Sequence, residues 1–216
     1  MRRAAAQFVA HPKVRQLYPE FLLASYNVVR ASVPLMKAAL VRAGQLAPDE
    51  AVAAGLLNYL PAHIEEELGH DEWALEDLGR LGIDRSAVES RPASATIAAL
   101  VGAQYYWIQH EHPVALMGYM AVLEGNPPTR ASIDELISRT GYQEPAFRTL
   151  IAHAENDPEH MNDLEQMLDR LPCSPAQSAL VGLSAMHTVV ALTRVFEEIV
   201  RTGNEVHQQP LLADRS

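Results

Sequence analysis

Two segments of the chain share one spacing of histidine and acidic residues. They are His63-x3-Glu67-x2-His70 and His153-x3-Asp157-x2-His160. Positions i, i+4 and i+7 fall on one face of an α-helix. Each segment therefore predicts a helix that directs two imidazoles and a carboxylate toward one point. Iron, manganese and zinc all accept these ligands, so the repeated spacing indicates a metal site inside a helical bundle.

The pattern of apolar residues is helical along most of the chain, and alternating runs typical of strands are absent. We predict an all-α fold in one domain over residues 1–216, with a flexible tail from about residue 202. Prolines interrupt several helices, and we expect kinks or breaks at Pro34, Pro61 and Pro113. The predicted helices cover residues 17–42, 48–81, 95–124, 130–140, 144–155, 157–171 and 174–200.

Two helix starts carry clear capping signals. Asp157 and Pro158 form an N-cap and N1 pair at which a helix restarts, and Ser174 with Gln177 forms a capping box. Pro61 lies close to the first ligand segment, and Pro158 lies inside the second. A broken helix frees backbone groups and permits local movement. We therefore predict that part of the metal binding is labile.

Composition excludes several classes of protein. A formal net charge of −10 and an isoelectric point near 5.3 argue against binding to nucleic acid or to an anionic membrane. Cys173 is the single cysteine, so no intrachain disulfide can form and a reducing cytoplasm is expected. We expect no signal peptide, and no apolar run approaches the roughly 20 residues that span a bilayer.

Each candidate ligand also has a simpler interpretation. Glu67 and His70 form the Glu-x-x-His unit of carboxylate-bridged bundles, but the surrounding acidic residues are also typical of a solvated face. Glu124 ends an apolar run at the negative end of a helix dipole, which a metal cation would offset, or it lies at a solvated helix end. Asp157 is explained as an N-cap, and His160 as a surface or core histidine. The combined order Glu-x-x-His, lone Glu, Asp-x-x-His favours the metal site.

Further residues are candidates for supporting roles. His63 and His153 each precede a candidate ligand by one turn, so they bind metal, orient the carboxylates, or are core histidines whose hydrogen bonds go to the backbone. Glu66 and Glu20 are additional carboxylates that could reach the site. The residues predicted to line a substrate pocket beside the metals are Tyr105, Trp107 and Met117.

Three stretches of the chain resemble the haem-oxygenase-like di-iron oxidases, also called iron-containing redox enzymes. The stretches are residues 63–73, 119–125 and 153–160, and the likeness in order and spacing extends over roughly residues 15–200. The resemblance implies a bundle of about seven helices, frequent dimerisation and a weakly held second iron. The iron ligands that it implies are Glu67, His70, Glu124, Asp157 and His160.

Ligand chemistry and the resemblance together predict a non-haem iron-dependent oxidoreductase. Nitrogen and oxygen ligands without cysteine favour iron or manganese over structural zinc. The resemblance implies two Fe(II) ions, with O2 as co-substrate, and an oxidase or oxygenase. We expect a small amine- or carboxylate-bearing metabolite as substrate, within natural-product biosynthesis. Electrons come from the substrate or from an external donor, and the protein is expected to be a cytoplasmic homodimer.

Three alternatives remain open from the sequence. The first is a ferritin-like di-iron bundle in which Glu20 supplies an extra ligand. The second is a metal-free enzyme of the same fold, similar to thiaminase-like or quinone-cofactor-forming proteins. The third is a non-catalytic iron-binding protein. A true haem oxygenase is disfavoured, because its axial histidine lies in the first helix, whereas His11 precedes the first long helix predicted here.

Overall fold

The computed structural model describes residues 1–204, and all regular secondary structure in that range is helical. Short 3-10 turns occupy Pro113–Ala115 and Glu144–Phe147. The all-α prediction is therefore confirmed. The α-helices are α1 (Arg2–Val9), α2 (Val14–Leu46), α3 (Ala51–Glu67), α4 (His70–Arg80), α5 (Arg85–Ser90), α6 (Ala95–His110), α7 (Leu116–Glu124), α8 (Arg130–Thr140), α9 (Arg148–Arg170) and α10 (Pro175–Asn204).

The long helix α2 forms the centre of the bundle. It packs against α3, α4, α6, α8 and α10, and it buries Leu22 and Leu35 completely. Helix α7 is apolar on all sides and lies against α10. Their close approach depends on Gly118, because a Cβ there would lie 2.1 Å from the carbonyl oxygen of Val181. This contact fixes the position of α7, whose last residue is Glu124.

The second predicted helix breaks at a different residue from the one expected. Pro61 lies inside α3 and is exposed, so the carbonyl that it leaves unpaired can be solvated. The break occurs instead at Gly69, whose φ of 87° is a left-handed conformation that glycine adopts without strain. His70 then opens α4 as a separate helix, and Asp71 and Glu72 follow in its first turn.

Helix α9 is continuous through Pro158, so the predicted restart at this residue is wrong. Pro158 is exposed, like Pro61, and its unpaired carbonyl partner can also reach water. Asp157 is therefore an interior helical residue and does not act as an N-cap. The prediction that part of the metal binding is labile relied on a broken helix at this position, and the helix is continuous there.

The helices differ from the expectation in three further places. Helices α1 and α5 were not expected from the sequence. Helix α10 continues to Asn204, whereas it was predicted to end at about residue 200, and most of the tail predicted from about residue 202 lies outside the described residues. The capping box that opens α10 is confirmed: the backbone N–H of Ser174 donates to Gln177, and that of Gln177 donates to Ser174 Oγ.

Helix α10 is apolar on much of its outer surface. Among the described residues, it is the one helix that is long and apolar enough to cross a membrane by length and composition. The expectation that no apolar run approaches this length was therefore wrong for α10. Core helices of water-soluble proteins pass the same test. Leu183, Met186 and Val190 are its most exposed large apolar side chains.

Candidate metal centre

Both ligand segments and Glu124 meet at one place in the bundle. The end of α3, the start of α4, the last residue of α7 and the middle of α9 converge there. We call this set the metal-centre cluster, and its members are His63, Glu67, His70, Glu124, His153, Asp157 and His160. Sequence reasoning identified all of these residues, and the structure brings them together.

One face of α9 supplies three members of the cluster. His153, Asp157 and His160 are spaced by four and three residues on a continuous helix, so they share that face. Asp157 is 5% exposed and His160 is 8% exposed. Helix α9 therefore presents a buried carboxylate and a buried imidazole to α3, α4 and α7, which the N-cap interpretation of Asp157 would not produce.

Glu67 lies between two imidazoles. Its Oε2 is 3.2 Å from Nδ1 of His70, and its Oε1 is 3.3 Å from Nδ1 of His160. The two oxygens of one carboxylate thus each face a different histidine. His70 is held from its other side by Trp73, whose ring stacks on the imidazole with centroids 3.9 Å apart.

A second pair is formed by His63 and Glu124. Nε2 of His63 is hydrogen-bonded to Oε1 of Glu124 at 2.9 Å. On the other side of the ring, Nδ1 lies 3.3 Å from the hydroxyl of Tyr59 and 3.5 Å from half-exposed Glu66. No motif in the sequence includes Tyr59, and its only notable feature is that it lies one helical turn before His63.

His153 is oriented by its own helix. Its Nδ1–H donates to the carbonyl oxygen of Thr149 at 2.7 Å, which leaves Nε2 as the unprotonated nitrogen of the neutral ring. A metal-binding histidine usually donates its other ring N–H to a carbonyl or carboxylate in this way. The arrangement therefore suits His153 for a direct ligand role better than for orienting a carboxylate.

The chemistry of the cluster fits a metal ion. Nδ1 of His70 and Nδ1 of His160 face the oxygens of Glu67 without a well-aligned hydrogen bond among the described residues, and Oε2 of Glu124 is buried there without a hydrogen-bond partner. The nitrogen–oxygen separations of 2.9–3.3 Å also match adjacent ligands of one cation, since atoms about 2.1 Å from it and at right angles lie about 3 Å apart. A buried nitrogen or oxygen atom without a hydrogen-bond partner lowers the stability of the fold unless another group interacts with it.

The side chains of the metal-centre cluster contact one another through hydrogen bonds and ion pairs. Within residues 1–204, no group of three or more His, Cys, Asp or Glu side chains has the arrangement of a completed metal site. Glu67 is engaged with His70 and His160, and Glu124 with His63. Metal binding would therefore require these contacts to be exchanged for contacts with the ion.

Burial and charge shift the pKa values within the cluster in opposite directions. Burial disfavours the charged form of Glu67, but its contacts with His160 and His70 outweigh that effect and lower its pKa. Burial, together with the charges of Glu67 and Glu124, raises the pKa of Asp157 to about 8. Contact with Glu67 raises the pKa of His160, and burial lowers the pKa of His153. In the metal-free protein Asp157 therefore carries a proton near neutral pH.

Asp77 connects two of the helices that carry the cluster. It is completely buried on α4, and its carboxylate accepts hydrogen bonds from the backbone N–H groups of Arg148 and Thr149 at 3.2 and 2.8 Å. It thereby caps the start of α9 from another helix. Nearby sequence signals could not reveal this role, because about 70 residues separate the partners.

Several predicted residues lie outside the cluster. Glu20 forms a two-point ion pair with Arg91, at 3.0 and 2.8 Å, so its predicted role as a metal ligand is wrong. Half-exposed Glu66 lies at the rim, 3.9 Å from Nε2 of His160.

A large cavity borders the cluster. Its volume is about 1020 Å³, and its lining includes His63, Glu67, Glu124, His153 and Asp157. Most of the remaining lining is apolar and comes from α1, α2, α7, α8 and α10.

The cavity is not where the sequence placed the substrate pocket, and that prediction is corrected. None of the three residues predicted to line it does so. Tyr105 is on the surface, Trp107 packs against His187 with ring centroids 5.4 Å apart, and Met117 is buried in the core. The aromatic residues on α6 did not indicate where space remains between the helices.

A family model for the iron-containing redox enzymes matches residues 20–194. The chain belongs to this family. The resemblance inferred from its motifs is thereby confirmed. The match includes every member of the metal-centre cluster, and it ends within α10. No curated protein matches this iron-containing redox enzyme.

Two solved structures have the same fold as this iron-containing redox enzyme. One is a domain of unknown function with a heme oxygenase-like fold from Shewanella denitrificans OS217, with a TM-score of 0.78 and 18% identity, covering 93% of this chain and 84% of that one. The other is a TenA homologue from Pseudomonas syringae pv. tomato DC3000, with a TM-score of 0.68 and 14% identity, covering 93% and 89%. The predicted haem-oxygenase-like bundle is confirmed, and the ferritin-like alternative is wrong.

Proposed function

We propose that this iron-containing redox enzyme is a non-haem di-iron oxidase or oxygenase. The observation that carries the proposal is the metal-centre cluster itself, a buried set of imidazoles and carboxylates that borders a large cavity. Iron held there would supply the reduction of dioxygen, which protein side chains alone cannot perform.

The ligand set that we propose has a carboxylate at its centre. Glu67 would bind through both oxygens, because each already faces a different imidazole at 3.2–3.3 Å. Glu124 and Asp157 would supply the other carboxylates. The imidazoles that we assign to the metals are those of His70 and His160, joined by His153, whose Nε2 is free of a proton.

Iron fits this set better than the common alternatives. The ligands are nitrogen and oxygen, with no cysteine among them, which disfavours a structural zinc site. Several carboxylates together with imidazoles on the facing helices of a bundle are typical of iron or manganese centres. The family to which the chain belongs is named for iron, so we propose Fe(II) as the resident metal.

The cluster also contains groups that hold protons at defined atoms. Asp157 must release its proton before it can bind a cation, so metal uptake and proton release are coupled. Hydrogen bonds connect Tyr59 to His63 and His63 to Glu124, which forms a path between the cluster and a partly buried hydroxyl. We propose that His63 orients Glu124 through this pair and transfers protons along the path.

The substrate would enter through the cavity, whose lining is mostly apolar. A small amine- or carboxylate-bearing metabolite could place its polar group beside Glu124 and Asp157. The sequence contains no flavin or nicotinamide fingerprint, so electrons beyond those of the substrate would come from an external donor.

A metal-free enzyme is the second candidate, because the fold is shared with a TenA homologue. Such an enzyme has no use for imidazoles and carboxylates gathered at one point in the bundle. His70 and His160 flank Glu67 in such a cluster, which favours the metal-dependent function. The absence of iron uptake would reverse this preference.

Stopped-flow absorbance would test the proposal. Protein loaded anaerobically with Fe(II) is mixed with oxygen, with and without a panel of amines and carboxylic acids. We expect a transient visible band that depends on iron and that is lost in Glu124→Ala and His160→Ala. Glu72→Ala serves as the control, because Glu72 is a surface residue paired with Arg85 at 2.6 Å. A band that persists in both cluster variants, or no iron uptake by the wild type, would contradict the proposal.

A further inference from the structure

The outer surface of α6 carries no charge. Aspartate, glutamate, lysine and arginine make up 20% of the chain, but none lies among the 16 residues of this helix. One face of the helix is nevertheless exposed along its whole length, and its residues are Ala95, Ala98, Ala99, Gly102, Tyr105, Tyr106 and Gln109. A helix face in water usually carries charged side chains, whereas the centre of a protein interface lacks them. The face therefore has the composition of a surface that another molecule covers.

Helix α10 adds a second uncharged surface beside α6. It has no aspartate, glutamate, lysine or arginine from residue 175 to residue 193. Leu183, Met186 and Val190 are 47%, 65% and 49% exposed on its outer side. Among residues 1–204, eight large apolar side chains are more than one-third exposed, and six of them belong to α6 and α10. The exposed apolar surface of the described chain is therefore concentrated on these two helices.

The two helices lie side by side in opposite directions. Thr96, near the start of α6, contacts Glu198 of α10, and Gln104, further along α6, accepts a hydrogen bond from Ser184 at 3.0 Å. The ring of Trp107 contacts that of His187 in the same region. Residues 183–190 of α10 therefore lie alongside α6 and not beyond its ends, so the two uncharged faces are neighbours.

The exposed face of α6 is complementary to itself. Its positions are symmetric in sequence about Gly102, and small residues occupy the first half whereas tyrosines occupy the second. When a second copy of α6 is laid antiparallel on the first, with Gly102 at the crossing, Tyr105 meets Ala99 and Tyr106 meets Ala98. Each large side chain then fills the space above a small one, as close helix packing requires.

The exposed area is close to what a stable dimer needs. The six large apolar side chains are 36–65% exposed. Together they present about 550 Å², if side chains of this size expose roughly 150–250 Å² when fully free. A standard interface covers about 800 Å² on each partner, and the small residues of α6 supply further area. Because the chain carries a net charge of −10, an uncharged face is also where two copies repel each other least.

We infer that two copies of the chain associate about a two-fold axis that passes near Gly102. Each α6 lies antiparallel to the α6 of the other copy, and the exposed side chains of α10 extend the interface beside it. A contact between identical faces closes on itself, so association stops at the dimer. The inference makes no use of the metal-centre cluster, which lies on α3, α4, α7 and α9.

Sedimentation equilibrium of the metal-free, full-length protein tests the association over about 1–100 µM. We expect the wild type to approach twice its mass of 23.8 kDa. Ala98→Glu places two carboxylates in each interface, because the axis repeats the substitution, and should raise the dissociation constant at least about 100-fold. Val190→Glu on α10 tests the same interface if the first variant does not fold.

The matched control is Ala87→Glu, which introduces the same charge at an exposed position of α5. It should leave the dissociation constant unchanged. A wild type that remains monomeric over the whole concentration range would overturn the inference. Equal dissociation constants in the control and in the interface variants would overturn it too.

Cysteine cross-linking tests the antiparallel pairing in a Cys173→Ser background. A disulfide requires Cα atoms within about 7 Å, so Gly102→Cys should link to its own counterpart at the axis. Ala98→Cys should link when mixed with Tyr106→Cys and far less when alone, because two copies of position 98 lie about 12 Å apart along the helices. No more linking at position 102 than in Ala87→Cys, or equal linking of Ala98→Cys with itself and with Tyr106→Cys, would overturn the inference.

Discussion

Glu67 is the residue on which the metal centre depends most directly. Its side chain is 11% exposed, and its two oxygens face His70 and His160. Glu67→Gln keeps the shape of the side chain, but it replaces one carboxylate oxygen with an amide nitrogen and removes the negative charge. We expect the affinity for Fe(II) to fall at least about tenfold, measured by anaerobic titration. Glu72→Gln on the surface is the control, and equal affinities in the two variants would contradict this role.

Asp157 makes the stability of the metal-free protein depend on pH. Its pKa is about 8 in the folded protein, against 3.8 ordinarily, so the folded state binds this proton more tightly than the unfolded chain does. This contribution to stability is full below about pH 4, and it is lost as the pH rises through 8. His160, whose pKa is also raised, contributes in the same direction.

Chemical denaturation of the metal-free protein from pH 5 to pH 8.5 measures this effect. We expect the free energy of unfolding of the wild type to fall across that range relative to Asp157→Asn, which has no proton to release at this position. Because both proteins retain the other titrating groups, the difference isolates Asp157. A difference that does not change with pH would show that Asp157 titrates normally.

At the residue scale, the sequence predicted ligand-type side chains better than their surroundings. The spacing of His153, Asp157 and His160 was sufficient because one continuous helix presents all three. Glu20 was misplaced because nothing near it in sequence indicates Arg91, which lies about 70 residues away and pairs with it. Contacts between distant residues depend on the packing of helices, which local patterns do not encode.

At the element scale, Asp77 should hold α4 and α9 in register. Asp77→Ala leaves two buried backbone N–H groups at the start of α9 without their acceptor. We expect the free energy of unfolding to fall by about 1–3 kcal/mol, with weaker Fe(II) binding as a second effect. Asp134→Ala is the control, since Asp134 forms an exposed ion pair with Arg130 and should change stability by less than about 0.5 kcal/mol. Equal losses would contradict the capping role.

The contact between α7 and α10 gives a second prediction at this scale. In Gly118→Ala the new Cβ would lie 2.1 Å from a backbone oxygen and 2.7 Å from a backbone nitrogen of α10, so the helices must separate. We expect a loss of about 1–3 kcal/mol in thermal or chemical unfolding. Gly102→Ala on α6 meets no atom within 4 Å and should stabilise the protein by up to about 1 kcal/mol. Similar effects of the two substitutions would contradict the close approach.

Helix existence was predicted well, and helix breaks were predicted poorly. Pro61 and Pro158 were expected to interrupt their helices, but both are exposed and are accommodated within α3 and α9. A proline removes one backbone hydrogen bond and disturbs the preceding turn, but the helix can continue through it where the freed carbonyl is solvated. The actual break occurs at Gly69, which has a positive φ. A lone glycine beside acidic residues does not by itself predict that conformation.

At the scale of the whole molecule, the sequence indicated the family and the bundle but not the cavity. Its volume of about 1020 Å³ arises where α1, α2, α8 and α10 fail to close on each other. Helix α1 contributes Phe8 to the lining, and this helix was not predicted at all. A cavity is a property of the assembled helices, so the aromatic residues singled out on α6 could not reveal it.

Anomalous diffraction at the iron absorption edge would test whether two iron ions bind beside Glu67. Crystals of the full chain, loaded anaerobically with Fe(II), are measured beside crystals of Glu67→Gln treated in the same way. We predict two anomalous peaks flanking the carboxylate of Glu67, one toward His70 and one toward His160, and their weakening or loss in the variant. No peak within the cluster, or peaks that the substitution leaves unchanged, would contradict a di-iron centre at this site.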